Sequence, residues 1–179
     1  MKSRICFLTF MPKLKGIDFK ILAELMKNSK TSDRTIAKNL GVSQPTITRR
    51  RARLEEDVID SYTVIPKFKE LGFELLAFNL LQYDPKVRTL PESQRIEKIR
   101  KTIKQHPSVI YASSGHGLKC QGVSVSIHPD YADYVAFIRA TQEEWGEWVS
   151  NIHSFTVSLR SDNIIQPLTF RRLLKHIKE

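Results

Sequence analysis

The stretch from Ser32 to Leu54, SDRTIAKNLGVSQPTITRRRARL, constrains this chain more than any other. Ile36, Ala37 and Leu40 fall on one apolar face of a helix that Ser32 can cap and Gly41 can end. A second helix starts at once. Ser43 offers an oxygen to the N–H groups of the next turn, and Pro45, lacking its own N–H, is tolerated there. Two short helices joined through Leu40-Gly41-Val42 make a helix-turn-helix.

The second helix keeps Ile47, Leu54 and Val58 as inward positions and leaves Gln44, Thr46, Thr48, Arg49, Arg50 and Arg53 to face outward or sideways. Hydrogen-bonding side chains at its start and cations further along suit a helix whose N-terminal end enters the major groove of double-stranded DNA while its flank meets phosphate. Gln44 and Arg49 are the first choices for base edges, because amide and guanidinium groups make bidentate bonds to adenine and guanine. Arg50 and Arg53 read as phosphate clamps, with Ser32, Thr35, Ser43, Thr46 and Thr48 as further candidate contacts. The plain alternative is that a run of arginines is only a solvated helix face, so the surrounding chain has to decide.

Charge supports the first reading. The 179 residues carry a net +10 with 41% hydrophobic content, a globular composition with a bias toward a polyanionic partner. Residues 1–66 hold 13 Lys/Arg against 7 Asp/Glu, so the excess is densest around the helix-turn-helix. Only Cys6 and Cys120 are present, too few for a disulfide scaffold or a zinc site, which fits a reducing, cytoplasmic setting. The opening MKSRICFLTF has an apolar run shorter than a signal-peptide core, and no apolar run approaches the roughly 20 residues that span a membrane.

Along the chain, residues 1–15 read as an N-terminal arm, with Ile5 to Phe10 a short strand or an ordered segment. Asp18 is an N-cap candidate for a first helix striped by Ile21, Leu22, Leu25 and Met26 to about Asn28. After the helix pair, Ile59 to Ile65 alternates loosely and ends at Pro66, a strand that would supply a wing. Residues 16–66 thus form a winged helix-turn-helix, and 67–72 a hinge. From 73 to 160 the pattern predicts a strand over Phe73 to Tyr83, a helix from Glu92 to Gln105 and a strand from Ser108 to Ser113. The turn SGHG, a strand from Gly122 to His128, a helix from Asp130 to about Trp148 and a strand from Ile152 to Leu159 follow. That order, βαββαβ, is ferredoxin-like, and the fold class is α+β. Its helices cover one sheet face, so the other needs a second copy, and a homodimer is expected through this half. The tail, 161–179, carries a candidate helix from Leu168 to Ile177.

With these elements in this order, the chain resembles the Lrp/AsnC family of feast/famine transcription regulators of bacteria and archaea. The matching stretches are IDFKILAEL (17–25), TIAKNLGVSQPTITRRRARLEE (35–56), VIDSYTVI (58–65) and Gly115 in the turn of the second half. The resemblance runs from about Gly16 to Leu159, specific in the first half and resting mainly on element order in the second. It implies a DNA-binding regulator that works as a dimer or higher oligomer, with a small-molecule effector in many members.

Three departures stand out. The family usually has a glycine where the recognition helix ends, whereas here Asp57 must end it in LEEDVI. Arg51 occupies a place generally apolar in the family, so its stem must snorkel or meet an acid. Amino-acid-sensing members carry Gly-x-x-Asp, while Gly115-His116-Gly117-Leu118 lacks the acid that would hold an α-amino group. Gly115, His116 and Gly117 remain the candidate ligand contacts, and whether this half takes another ligand or only builds the oligomer stays open.

No enzymatic motif emerges. The five histidines (106, 116, 128, 153 and 176) are scattered, each reading as a surface or strand-edge residue, and no catalytic residue, metal ligand or cofactor is expected. The alternatives are a non-specific architectural DNA-binding protein and, on the same two-part architecture, an enzyme like the sirohaem decarboxylases, which the arginine-rich helix argues against.

Overall fold

Ile21, Ile36 and Ile47 stand on three different helices and are all completely buried, because together with Leu25, Ala37 and Leu54 they form the core of the first of two compact units. The computed structural model describes residues 14–160, 162 and 164–175. The expected arm at Ile5 to Phe10, Cys6, and the last residues of the tail, with His176 and Ile177, lie outside the described residues. One unit runs to Ile65 and takes the chain up again from Pro167; the other spans Pro66–Gln166.

The first unit contains α1 (Gly16–Lys27), α2 (Asp33–Leu40) and α3 (Gln44–Asp57). Asp18 is not the N-cap of α1. It lies within the first turn, and its carboxylate reaches back to accept the Lys15 backbone N–H at 2.8 Å, half of a capping box. Helix α2 begins as expected, Ser32 Oγ accepting from the Thr35 N–H, and ends at Gly41 in the left-handed conformation that only glycine adopts without cost. Ser43 does stand at the start of α3, but its hydroxyl meets the Thr46 hydroxyl at 2.8 Å instead of a backbone N–H.

Two expectations fail where α3 ends. Val58 is exposed, and Ile59 packs on the core instead, since the chain leaves the helix there without a left-handed residue. No wing strand forms from Ile59 to Ile65: the alternation is present, but among the described residues no strand lies beside it to complete a ladder. Of the expected tail helix, the described residues form a 3₁₀ turn at Arg171–Lys175, which starts later than Leu168 and packs on α1.

The second unit opens with a 3₁₀ turn, Phe68–Leu71, closed by Gly72 at φ 84°. Then come β1 (Leu75–Tyr83), a short α4 (Pro85–Arg88) that the periodicity does not reveal, α5 (Glu92–Ile103), β2 (Val109–Gly117), β3 (Cys120–His128), α6 (Tyr131–Trp145) and β4 (Val149–Ser158). The four strands form an antiparallel sheet in the order β2-β3-β1-β4, the ferredoxin-like arrangement. Helix α6 is capped by the Asp130 carboxylate on the Asp133 N–H. Tyr83, Val87, Trp145 and Val149 pack between the helices and the sheet.

The sheet's two faces differ. Away from the helices, Tyr111, Val125, Phe78 and Phe155 stand in register across all four strands, Phe155 being 71% exposed. Beneath the helices runs a polar chain whose middle members, Asn79, Ser126 and His128, are buried. Ser154 donates to Asn79 Oδ1 at 2.7 Å, Asn79 Nδ2 donates to Ser126 Oγ at 3.0 Å, and Ser126 Oγ meets His128 Nε2 at 2.9 Å. His128 Nδ1 then meets Asp133 Oδ2 at 2.7 Å. Each member has a partner, which is what makes such a chain tolerable in a core. His128 is therefore no surface histidine; it is wholly buried against Tyr134 and Phe137.

Candidate nucleic-acid interface

Helix α3 is held on two sides before any outer contact is considered. Its buried side is apolar, through Ile47 and Leu54, and a second side is ionic. Arg50 Nη1 meets the buried Asp18 carboxylate at 2.8 Å, joining α3 to α1. Burial pushes the Asp18 carboxyl up, but the Lys15 N–H and the Arg50 guanidinium outweigh it and hold the group below its ordinary value. Toward α2, Thr48 Oγ1 donates to Asp33 Oδ2 at 2.7 Å and also reaches the Gln44 carbonyl at 3.2 Å.

Arg51 completes this ionic side. Its Nη1 reaches Asp33 Oδ1 at 3.1 Å and the Thr31 carbonyl at 3.4 Å, its Nε donates to Glu55 at 2.9 Å, and the guanidinium lies 5.3 Å from the centre of the Tyr62 ring. Burial works against its charge, but hydrogen bonds to Glu55 and Asp33 more than compensate, so Arg51 stays cationic throughout the accessible pH range. The Tyr62 hydroxyl donates to the same Glu55 oxygen at 2.8 Å, and that bond, then Arg51, keeps the Glu55 carboxyl below its usual range. The odd arginine of the sequence thus meets acids.

What remains outward is a smaller set than the sequence suggests. Ser32, Thr35, Ser43, Gln44, Thr48, Arg49 and Arg53 are exposed, and Thr46 is half-buried. Ser32 and Thr35 share a hydroxyl–hydroxyl contact at 2.9 Å. Arg53 pairs with Asp57 one turn on, at 3.3 Å, a contact that exposure makes weak. Among the described residues Arg49 meets no carboxylate, and its exposed guanidinium, like the Gln44 amide, lies in the N-terminal half of α3. Of the other candidates from the sequence, Thr48 has its hydroxyl bound to Asp33, and Arg50 is taken by the buried Asp18. The residues that sequence reasoning missed are the acids that arrange these side chains, Asp18 and Asp33; they lie far from their partners along the chain, and only the Arg51–Glu55 spacing is a local signal.

The candidate ligand residues are placed differently from the expectation. Gly115, His116 and Gly117 belong to strand β2, and the turn is Leu118-Lys119, with φ of 51° and 63°. Glycines suggested the turn, but Gly117 pairs with Cys120, which leaves only two residues for the loop, and the register shifts between Ser114 and Gly117. Gly115 and Gly117 each face open space where a Cβ would stand, so neither is required by packing. Among the described residues no group of three or more His, Cys, Asp or Glu side chains could hold a metal, and no helix is long and apolar enough to cross a membrane.

The AsnC-type helix-turn-helix domain model matches residues 16–55, which is α1 to α3. An HTH-type transcriptional regulator of Pyrococcus horikoshii is 38% identical over 77 residues, 42% of this chain and 51% of that protein. The regulator Ptr1 of Methanocaldococcus jannaschii is 32% identical over 105 residues, 55% of this chain and 71% of that protein. The chain spans about half the length of the first curated relatives it matches. A transcriptional regulator from Neisseria meningitidis, crystallised with L-methionine, superposes with a TM-score of 0.75 at 18% identity, covering 92% of this chain and 99% of that one. That likeness is one of fold, and it extends over both units. A helix-turn-helix of this type, a ferredoxin-like sheet after it in the chain, and a relative 32% identical whose length this chain covers to 71% place the chain in the Lrp/AsnC family, to which it belongs.

Proposed function

We propose that this chain is a sequence-specific DNA-binding transcription regulator, acting in the cytoplasm as a dimer or higher oligomer, with α3 as the helix that reads the major groove. The observation that carries the reading is that Gln44 and Arg49 are both exposed on a helix whose other sides are fixed by a buried core and by ion pairs. Fixed backbone and free bidentate side chains are what base discrimination requires. Arg53 and the hydroxyls of Ser32, Thr35, Ser43 and Thr46 would meet phosphate around it.

The dimer reading is supported by the apolar row on the uncovered sheet face, which a second copy would bury. The chain is read as no enzyme. Ser126, His128 and Asp133 stand in the hydrogen-bond order of an acyl-transfer triad, but Ser126 has no exposed surface, so no substrate carbonyl could reach its Oγ. As for effectors, the Neisseria regulator was crystallised with L-methionine; here the acid expected for an α-amino group is absent at Leu118, and Gly115, His116 and Gly117 are proposed only as a place where some other small molecule could contact β2.

Selection of duplexes from a random pool with the purified protein tests the function. A recovered consensus, bound about 10³-fold or more over scrambled duplex at fixed salt, is the expected result. Uniform affinity for all duplexes would instead make it an architectural binder.

A further inference from the structure

We propose that Arg51 is a positioning residue of the recognition helix: it touches no DNA, and by holding Asp33, Glu55 and the Tyr62 ring together it sets the angle at which Gln44 and Arg49 meet the groove. This rests on the DNA-reading function above and adds a residue that decides specificity from behind the helix.

A guanidinium has five N–H donors in a rigid plane and two faces. In Arg51 the edge is spent on Asp33 at the start of α2, on the Thr31 carbonyl before it, and on Glu55 one turn further along α3, while the Tyr62 ring lies over the guanidinium carbon. Only 22% of the side chain is exposed, against 56% for Arg53. A phosphate would have to displace two carboxylates to bind it.

What these contacts fix is the angle between α2 and α3. The apolar side, Ile36 against Ile47, sets the distance between the helices but leaves rotation soft, because hydrophobic contact is not directional. Directional restraint comes from the hydrogen bonds, and Asp33 is its hub, accepting from both Thr48 and Arg51. Tyr62 adds a third anchor. It belongs to the segment leading out of the first unit, and through Glu55 and Arg51 the position of that segment is tied to the recognition helix.

The test compares Arg51→Met, Arg51→Lys, Tyr62→Phe and Tyr62→Ala in the full chain, measuring affinity for the selected site and for a scrambled duplex across a salt series, with unfolding followed in parallel. Arg51→Met should lose about tenfold on the selected site and keep its affinity for scrambled duplex and its salt slope, since no phosphate contact is removed. Arg51→Lys should not rescue, because an ammonium cannot fork between Asp33 and Glu55. Tyr62→Phe keeps the ring and should lose less than Tyr62→Ala, and Arg51→Met with Tyr62→Ala should be no worse than Arg51→Met alone. A salt slope lowered by about one unit, with equal losses on both duplexes, would overturn the proposal in favour of a phosphate contact. Unchanged specificity in a folded Arg51→Met would overturn it too. If Arg51→Met unfolds, the Tyr62 pair decides: equal specificity for Tyr62→Ala and wild type refutes the proposal. A wild-type protein without any selected site would refute the DNA-reading function itself, a separate outcome.

Discussion

Asp18 on α1 and Arg50 on α3 face each other at 2.8 Å, so one of the three consecutive arginines is spent inside the protein. Arg50→Ala should cost about 1–3 kcal/mol in urea unfolding, because it leaves a buried carboxylate without its cation. If Arg50 were chiefly a phosphate clamp, stability would be unchanged and the salt slope of DNA binding would fall instead.

The same pair predicts a pH dependence. The Asp18 carboxyl is held below its ordinary value in the folded state, so its contribution is complete above the unfolded pKa, about 3.9, and is lost as pH falls through the lower folded value. Removing Arg50 raises the folded value, so the acid-unfolding midpoint of Arg50→Ala should move to higher pH. A midpoint that does not move would mean the pair contributes nothing.

Arg49 and Arg53 should separate in binding assays. Arg49→Ala is expected to cost about 1–3 kcal/mol on the selected site and little on scrambled duplex, as befits a base contact. Arg53→Ala should weaken both alike and lower the salt slope by about one unit. Equal behaviour of the two variants in a gel-shift salt series would remove the distinction.

On the uncovered face, Phe155 lies opposite Phe78 and is 71% exposed. A charge there opposes burial by a second copy, so Phe155→Glu should shift light scattering from an oligomer toward the 20.7 kDa monomer without loss of helix content. Retention of the full oligomer would exclude this face as the interface.

Leu118 and Lys119 adopt positive φ in the hairpin turn, where side chains are strained and Asn-Gly is favoured. Lys119→Gly should stabilise by about 0.5–1 kcal/mol in thermal unfolding, the relief of strain exceeding the added chain entropy. A loss of stability would show that Lys119 makes a contact outweighing its backbone strain.

Much of the first unit is legible in the sequence because its signals are local. Ser32, Gly41 and Pro45 act within one turn of chain, and Ile36, Ala37, Ile47 and Leu54 repeat at helical spacing. The readings that failed needed knowledge of neighbours. Ile59 to Ile65 has the pattern of a strand and no strand to pair with, and the SGHG glycines suggested a turn that the Gly117–Cys120 pairing moved to Leu118-Lys119. Within the candidate interface, the residue types were readable but their availability was not: Thr48 and Arg50 look as free as Arg49 until Asp33 and Asp18 are brought beside them.

The sequence by itself determined the helix-turn-helix from the Ser32 cap through Gly41, the order of the sheet strands, and the concentration of positive charge around α3, since caps, periodicity and composition are properties of neighbouring residues. Only the tertiary structure decided which face each alternating strand buries. In VSVSI the serines, not the valines, turn toward the helices, because Asn79 and His128 are there to satisfy them. It also decided which arginines are left for a partner. Alternation fixes that two faces differ, but long-range partners, separated by up to tens of residues, choose between them.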